Sequence, residues 1–169
     1  MGFTELQAFL ERGGDVLPWL LLVTFLMWAF ILERFFYFLF AHKVIADEAV
    51  SEWQSRSDRK STYAHWVKDK LVSEVRQSAE ININITKALV ALAPLLGLLG
   101  TVTGMIQVFE IMAITGGSDA KAMSAGVSQA TIPTMAGMVA SLSGIIFSSG
   151  LDKRAERAVQ KVADRLEIS

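Results

Sequence analysis

The stretch APLLGLLGTVTG, residues 93–104, lies in the middle of an apolar run that covers 89–112. Two further apolar runs cover 16–32 and 126–151, and the charged residues lie almost entirely outside the three runs. A helix needs about 20 apolar residues to cross the hydrocarbon core of a bilayer. The sequence therefore predicts an all-α membrane protein with three transmembrane helices.

The distribution of Lys and Arg predicts the orientation of these helices. Most of these residues lie in 41–88 and in 152–169, whereas Arg12 precedes the first run and Lys121 lies between the second and third. Because cytoplasmic segments carry the excess of Lys and Arg, we expect the N-terminus outside and the C-terminus in the cytoplasm. The predicted segments are an outer N-terminal segment 1–15, transmembrane helix 16–40, a cytoplasmic helical segment 41–88, transmembrane helix 89–113, an outer loop 114–125, transmembrane helix 126–151 and a cytoplasmic tail 152–169.

The predicted cytoplasmic segments have the pattern of helices that continue the membrane spans. Pro and Gly are absent from 41–93, and apolar residues recur at helical spacing, as in Val67, Leu71 and Val75. The first run follows a flank that carries Glu5 and Glu11, and no small-residue cleavage site comes after it. We therefore expect a retained span and not a signal peptide.

Composition excludes several classes of function. The chain is 52% hydrophobic, its formal net charge is −1, and it has no Cys. The lack of basic excess argues against nucleic acid as a partner, and the lack of Cys excludes disulfides, Cys-ligated zinc, iron–sulfur clusters and thiol nucleophiles. His42 and His65 are too far apart in sequence to suggest a metal site. We predict a non-enzymatic protein without catalytic residues, cofactor or metal.

Small residues form a stripe along the second and third spans. Gly97, Gly100, Thr101 and Gly104 are spaced at i, i+3, i+4 and i+7, which places them on one helix face. The third span continues this pattern through Gly137 and Gly144 among other small residues. Small residues let helix backbones approach closely where lipid provides no hydrophobic drive. We predict that the five glycines serve helix packing.

Hydroxyl and amide side chains on the same two spans are candidates for an ion pathway. The candidates are Thr101, Thr134, Gln129 and Ser141. They either pack against neighbouring helices, with hydroxyls bonded to the preceding turn, or line a polar passage. Glu110, near the outer end of the second span, is the only ionisable residue within 89–112, and 126–151 has none. Since a proton relay through hydrocarbon needs an ionisable group, either the chain does not conduct or a partner supplies a carboxylate.

The segments 93–104 and GVSQATIPTMAG, residues 126–137, resemble the signature of the ExbB/TolQ/MotA proton-channel family, as does the pair Glu33 and Arg34. Within that family the chain is most similar to short ExbB forms. The resemblance implies an inner-membrane ring of five copies around two helices of a single-span ExbD-type partner, whose membrane Asp carries the proton. The energy would pass to a TonB-type protein for outer-membrane import.

The resemblance also implies roles for individual residues. Thr101 and Thr134 match the pore threonines, and Gln129 stands where the family has Glu. An amide does not titrate near neutral pH, so a gate or a hydrogen-bond partner is expected there. Pro94 and Pro133 are expected to bend their helices, and Glu33 with Arg34 to form a pair at the membrane boundary. A TolQ-like or stator-like subunit and a passive membrane scaffold remain alternatives, as does Na⁺ for the proton.

Overall fold

The computed structural model describes residues 14–56, 61–116 and 120–166, and these contain helices and turns but no strand. The helices are α1 Val16–Phe36, a π-helical segment Tyr37–Ala41, α2 His42–Gln54, α3 Thr62–Glu80, α4 Ile83–Thr115 and α5 Ala120–Arg165. Three helical stretches are long and apolar enough to cross a membrane, namely Val16–Gln54, Thr62–Thr115 and Met123–Arg165. The protein is an all-α membrane protein, as predicted from the three apolar runs.

The predicted borders between membrane and water stay predictions, because the helices run through several of them. Helix α5 begins at Ala120, inside the predicted outer loop, and continues to Arg165 in the predicted tail. Residues 1–13 of the predicted N-terminal segment, 117–119 of the outer loop and 167–169 of the tail lie outside the described residues.

Among its described residues, the helical segment predicted after the first span has two breaks. Helix α2 ends at Gln54, and α3 begins after Ser61, whose side chain accepts a hydrogen bond from the Ala64 amide at 3.1 Å. A serine N-cap of this kind satisfies one of the unpaired amides of the first turn. The second break lies between α3 and α4, where Asn82 has a φ of 63°. Asn tolerates this left-handed conformation better than most residues.

The chain divides into two compact units. The first takes its described residues from 14–28 and 87–145, and the second from 29–86 and 146–166. The core of the first unit consists of small and branched apolar side chains from α1, α4 and α5: Leu17, Leu20, Ala93, Leu96, Ala136 and Ala140. Helices α4 and α5 continue through Pro94 and Pro133.

The second unit buries the apolar stripes of its charged helices. Leu71, Val75 and Ala79 of α3 are buried, in agreement with the predicted helical spacing. Helix α5 contributes a matching set in Ala155, Val159 and Val162, which Leu166 continues directly after the helix, and α2 contributes Trp53. These stripes let helices with many surface charges share an apolar core.

Large apolar side chains of the first unit are exposed. Trp19 and Phe25 of α1 are 64% and 71% exposed, and Val139 of α5 is 68% exposed. Soluble monomers rarely expose contiguous apolar surface on this scale. Such surfaces suit contact with lipid or with other subunits.

Candidate ion pathway

At Gly97 and Gly137, helices α4 and α5 approach each other so closely that a side chain cannot be added without movement. A Cβ on Gly97 would lie 2.9 Å from the Pro133 carbonyl oxygen and 2.9 Å from the Thr134 Cα. A Cβ on Gly137 would lie 2.6 Å from the Ala93 carbonyl oxygen. These neighbouring atoms belong to the backbone and cannot rotate away. Backbone-to-backbone packing of this type is what small residues make possible between membrane helices.

The other three glycines of the predicted packing set meet side chains. A Cβ on Gly100 would collide with the Pro133 ring, and one on Gly104 would lie 2.7 Å from the Ala130 Cβ. A Cβ on Gly144 would lie 2.5 Å from the Met27 sulfur of α1. The glycines of the stripe thus pack against other helices of the same chain. Gly144 is the position where α1 contacts α5.

The Thr134 hydroxyl links α5 to α4. Its Oγ1 donates a hydrogen bond to the Gly97 carbonyl oxygen at 2.8 Å. The Thr101 hydroxyl instead donates to the Leu98 carbonyl oxygen of its own helix at 2.7 Å. Both threonines are half-buried. A hydroxyl that donates its proton keeps lone pairs on its oxygen, so each can still accept a hydrogen bond or contact a cation.

The remaining candidates for the pathway lie in different surroundings. Gln129 is exposed, whereas Ser141 is buried at 6% exposure. Gln129 lines a cavity of about 340 Å³ in the first unit, together with Gly100 and Gly104. Thr101, Thr134 and Ser141 are not among the described residues that line it. The lining of this cavity therefore includes the amide of Gln129 but none of the three hydroxyls.

The polar lining of this cavity has the chemistry of a cation entrance. Its polar side chains are Asp15, Thr103, Gln107, Glu110 and Gln129. Ionised carboxylates only accept hydrogen bonds, and amides and hydroxyls add further acceptor oxygens. A concave surface that carries negative charge raises the local concentration of cations.

Asp15, Thr103 and Gln107 are lining residues that sequence reasoning missed. Thr103, Gln107 and Glu110 are spaced at i, i+4 and i+7, which places them on one face of α4. This spacing could have identified the polar face of the second span from the sequence alone. Asp15 gave no such signal, because it lies before α1 and reaches the cavity through the turn at Gly14, whose φ is 67°.

The predicted boundary pair forms a network in the second unit. Arg34 is 1% exposed, and its Nη1 donates to the Ser78 carbonyl oxygen at 2.9 Å. Its Nε lies 3.5 Å from Glu33 Oε2, which also accepts a hydrogen bond from Asn82 Nδ2 at 3.1 Å. The guanidinium carbon lies 4.6 Å from the centre of the Tyr37 ring. Helix α1 is thereby tied to the last turn of α3, where a cation also complements the helix dipole.

Among residues 14–56, 61–116 and 120–166, no group of three or more His, Asp or Glu side chains could hold an ion.

The model of the MotA/TolQ/ExbB proton channel family matches residues 34–164. The biopolymer transport protein ExbB of Helicobacter pylori is 33% identical over 87 residues, which are 48% of this chain and 60% of that protein. The ExbB-like 1 protein of Synechocystis sp. is 42% identical over 65 residues, 37% of this chain and 26% of its own length. The chain thus spans less than two thirds of these curated relatives. Because the family match covers most of its length and all of the helices α2 to α4, the chain belongs to the MotA/TolQ/ExbB proton channel family.

Proposed function

We propose that this protein is the channel subunit of an inner-membrane motor that couples the proton motive force to TonB-dependent import through the outer membrane. Its partners are an ExbD-type single-span protein and a TonB-type protein. Membership of the proton channel family supports the channel role. The names of the two relatives, the ExbB protein of Helicobacter pylori and the ExbB-like 1 protein of Synechocystis sp., support the ExbB branch.

The spans themselves supply no titrating group at mid-depth, and this observation carries the proposal. No Asp, Glu, Lys, Arg or His lies between Lys87 and Glu110 or between Lys121 and Asp152. Gln129 cannot take up and release a proton near neutral pH. A proton path through these helices therefore uses an acid from another polypeptide, and a single membrane Asp of the ExbD-type partner meets this need.

The proposed pathway can accommodate the partner's acid because it is lined by polar, uncharged groups. These are the hydroxyls of Thr101, Thr134 and Ser141 and the amide of Gln129. A protonated Asp is neutral and can enter a space lined by such groups, whereas its ionised form is costly to bury there. The alternation of charge turns the partner helix relative to the surrounding subunits. Each charge that crosses 100 mV of membrane potential provides about 2.3 kcal/mol.

The proposed assembly is a ring of five copies. The N-terminus lies in the periplasm and the C-terminus in the cytoplasm, in accordance with the distribution of Lys and Arg. Exposed apolar side chains such as Phe25 and Val139 are then covered by lipid or by the neighbouring copy. The cavity with Asp15 and Glu110 becomes the outer mouth, where cations collect before they reach the partner's acid.

The test compares Thr134→Val with Thr134→Ser in cells whose TonB-dependent uptake depends on this protein. Valine has a similar shape but no hydroxyl, while serine keeps the hydrogen bond to the Gly97 carbonyl. We expect valine to reduce energised uptake at least tenfold and serine to retain most of it, with the complex intact in both cases.

Uptake that is unchanged in the Thr134→Val variant, with normal assembly, would contradict the pore role and favour the passive scaffold. The coupling ion is identified in vesicles that contain the chain and its ExbD-type partner. Collapse of activity with a proton ionophore, and not on removal of the sodium gradient, supports the proton. A TolA-type partner in place of a TonB-type partner would move the protein to the TolQ branch.

A further inference from the structure

A second cavity lies in the second unit, between the start of α2 and the end of α5. Its volume is about 580 Å³. Phe38, His42 and Lys43 contribute from one side, and Lys161 and Val162 from the other. The ion pathway does not use these residues.

The lining of this cavity carries more positive than negative charge. Lys43, Lys161 and Arg165 are set against Asp47 and Asp164. Arg165 Nη1 lies 3.2 Å from Asp47 Oδ1, so these two groups largely neutralise each other. Two lysines then face a single further carboxylate. An anion with several oxygen acceptors suits this arrangement, because each ammonium has three donors.

His42 adds a polar atom whose hydrogen-bonding capacity is unused in the described residues. Its Nδ1 is buried and finds no hydrogen-bond partner among residues 14–56, 61–116 and 120–166. Its ring lies beside the Phe38 ring, with the ring centres 5.8 Å apart. A buried polar atom without a partner costs free energy. When its ring is protonated, His42 adds a positive charge to the lining that also contains Lys43 and Lys161.

The position of the cavity along the chain indicates where its ligand comes from. His42 and Lys43 directly follow the apolar segment 16–40, which ends in the aromatic run FFYFLF. A helix over 16–40 is roughly 37 Å long at 1.5 Å per residue, compared with a hydrocarbon core of about 30 Å. Aromatic runs mark the interface between lipid and water. On the predicted borders, the wall of the cavity that contains Phe38 and His42 therefore lies next to the lipid headgroups.

The local backbone is also unusual at this point. Residues Tyr37–Ala41 form a π-helical segment between α1 and α2. Single π-helical turns inside α-helices are frequent at functional sites. Here the segment immediately precedes His42 and contributes Phe38 to the cavity wall.

We propose that this cavity binds the phosphodiester headgroup of an acidic phospholipid from the adjacent leaflet. Lys43 and Lys161 hold the phosphate oxygens, the His42 ring lies beside them in the cavity wall, and Phe38 and Val162 lie against the glycerol and the start of the acyl chains. Basic pockets beside membrane helices are suited to such headgroups. The site is separate from the ion pathway and does not depend on the proposed coupling to TonB.

Native mass spectrometry of the detergent-purified full chain tests this site. The protein is titrated with phosphatidylglycerol, with phosphatidylcholine and with inorganic phosphate. We expect phosphatidylglycerol to bind preferentially. Lys161→Gln should weaken it about fivefold, and the double variant Lys43→Gln with Lys161→Gln further, since each cation near a membrane surface contributes about 1 kcal/mol. Lys153→Gln removes the same charge from an exposed position on α5 that does not line the cavity, and should leave binding unchanged.

Circular dichroism and size-exclusion chromatography establish that the variants are folded, and the double variant Lys43→Arg with Lys161→Arg should restore binding. Equal losses of phosphatidylglycerol binding in Lys161→Gln and Lys153→Gln would show that the lipid is attracted by surface charge in general, and would overturn the proposal. So would equal binding of the two phospholipids. Binding of inorganic phosphate without phosphatidylglycerol would identify a free anion as the ligand, and binding of neither would leave the cavity to an acidic peptide. Both results would overturn the lipid assignment.

Discussion

The Arg34 guanidinium donates a hydrogen bond to the Ser78 carbonyl oxygen at 2.9 Å, across 44 positions of sequence. The arginine is buried, and the carbonyl belongs to the last turn of α3. One side chain thus brings a positive charge to the C-terminal turn of α3 and ties that turn to α1. A cation with a fixed planar set of donors can do both, because it forms directed bonds and carries a permanent charge.

Replacement of Arg34 by Ala should destabilise the protein by about 2 kcal/mol, because a charge-assisted hydrogen bond and the packing of the aliphatic stem are lost. Thermal unfolding in detergent, followed by circular dichroism, measures the loss. Arg76→Ala removes an exposed arginine from α3 and serves as the control. Equal melting temperatures for the two variants would show that the bond to Ser78 does not stabilise the fold.

A methyl group on Gly97 should separate α4 from α5. Its Cβ would lie 2.9 Å from the Pro133 carbonyl oxygen, and a backbone atom cannot move without its helix. We expect Gly97→Ala to lower the melting temperature and to reduce recovery of the assembled protein.

Gly150→Ala is the matched substitution, because nothing lies within 4 Å of a Cβ at that position. Alanine is the better helix former by about 1 kcal/mol, so this variant should be neutral or slightly more stable. If both alanine variants unfold at the same temperature as the parent protein, close packing at Gly97 is not required.

Neutralisation of the outer cavity should slow cation entry. Asp15→Asn combined with Glu110→Gln removes both carboxylates of the lining and keeps similar shapes. We expect proton uptake by vesicles that contain the chain and the proposed ExbD-type partner to fall about tenfold at low ionic strength, and less at high salt. Glu156→Gln, an exposed change elsewhere on α5, is the control. A decrease that is independent of salt would argue against electrostatic attraction.

Binding of phosphatidylglycerol should strengthen as the pH falls. Burial of the His42 imidazole, with the Lys161 ammonium nearby, lowers the pKa of His42 below its ordinary value of 6.5. The ring is therefore neutral at pH 7, and an anion favours its protonated form. Without lipid, the unfolded chain binds this proton more readily, so stability decreases as the pH falls through about 6.5.

The comparison of parent and His42→Gln proteins isolates this contribution. The cavity also contains Lys43, Asp47, Lys161, Asp164 and Arg165, which remain in both proteins. Native mass spectrometry should show that the parent protein retains more lipid at pH 5.5 than at pH 7.5. The increase should be smaller for the variant. The same increase in both would assign the pH effect to the carboxylates.

The small-residue stripe shows how far sequence patterns extend. Spacing alone placed Gly97, Gly100 and Gly104 on one helix face, because helical geometry is local. The same reasoning applied to Thr103, Gln107 and Glu110 would have revealed the polar face of the cavity. It could not have shown that Thr134 bonds to the Gly97 carbonyl, since the two residues are 37 positions apart and on different helices.

The sequence by itself determined three membrane helices, the buried faces of the charged helices and the absence of a titrating group at mid-depth in the second and third spans. These properties follow from the length, hydrophobic period and composition of short segments. They can be predicted without knowing which other segments pack against them. Only the tertiary structure decided that Arg34 caps α3, that Asp15 joins the polar side chains of α4, and that His42 shares a cavity with Lys161. Each of these relationships depends on which helix faces meet, and that choice is made by packing between residues far apart in the chain.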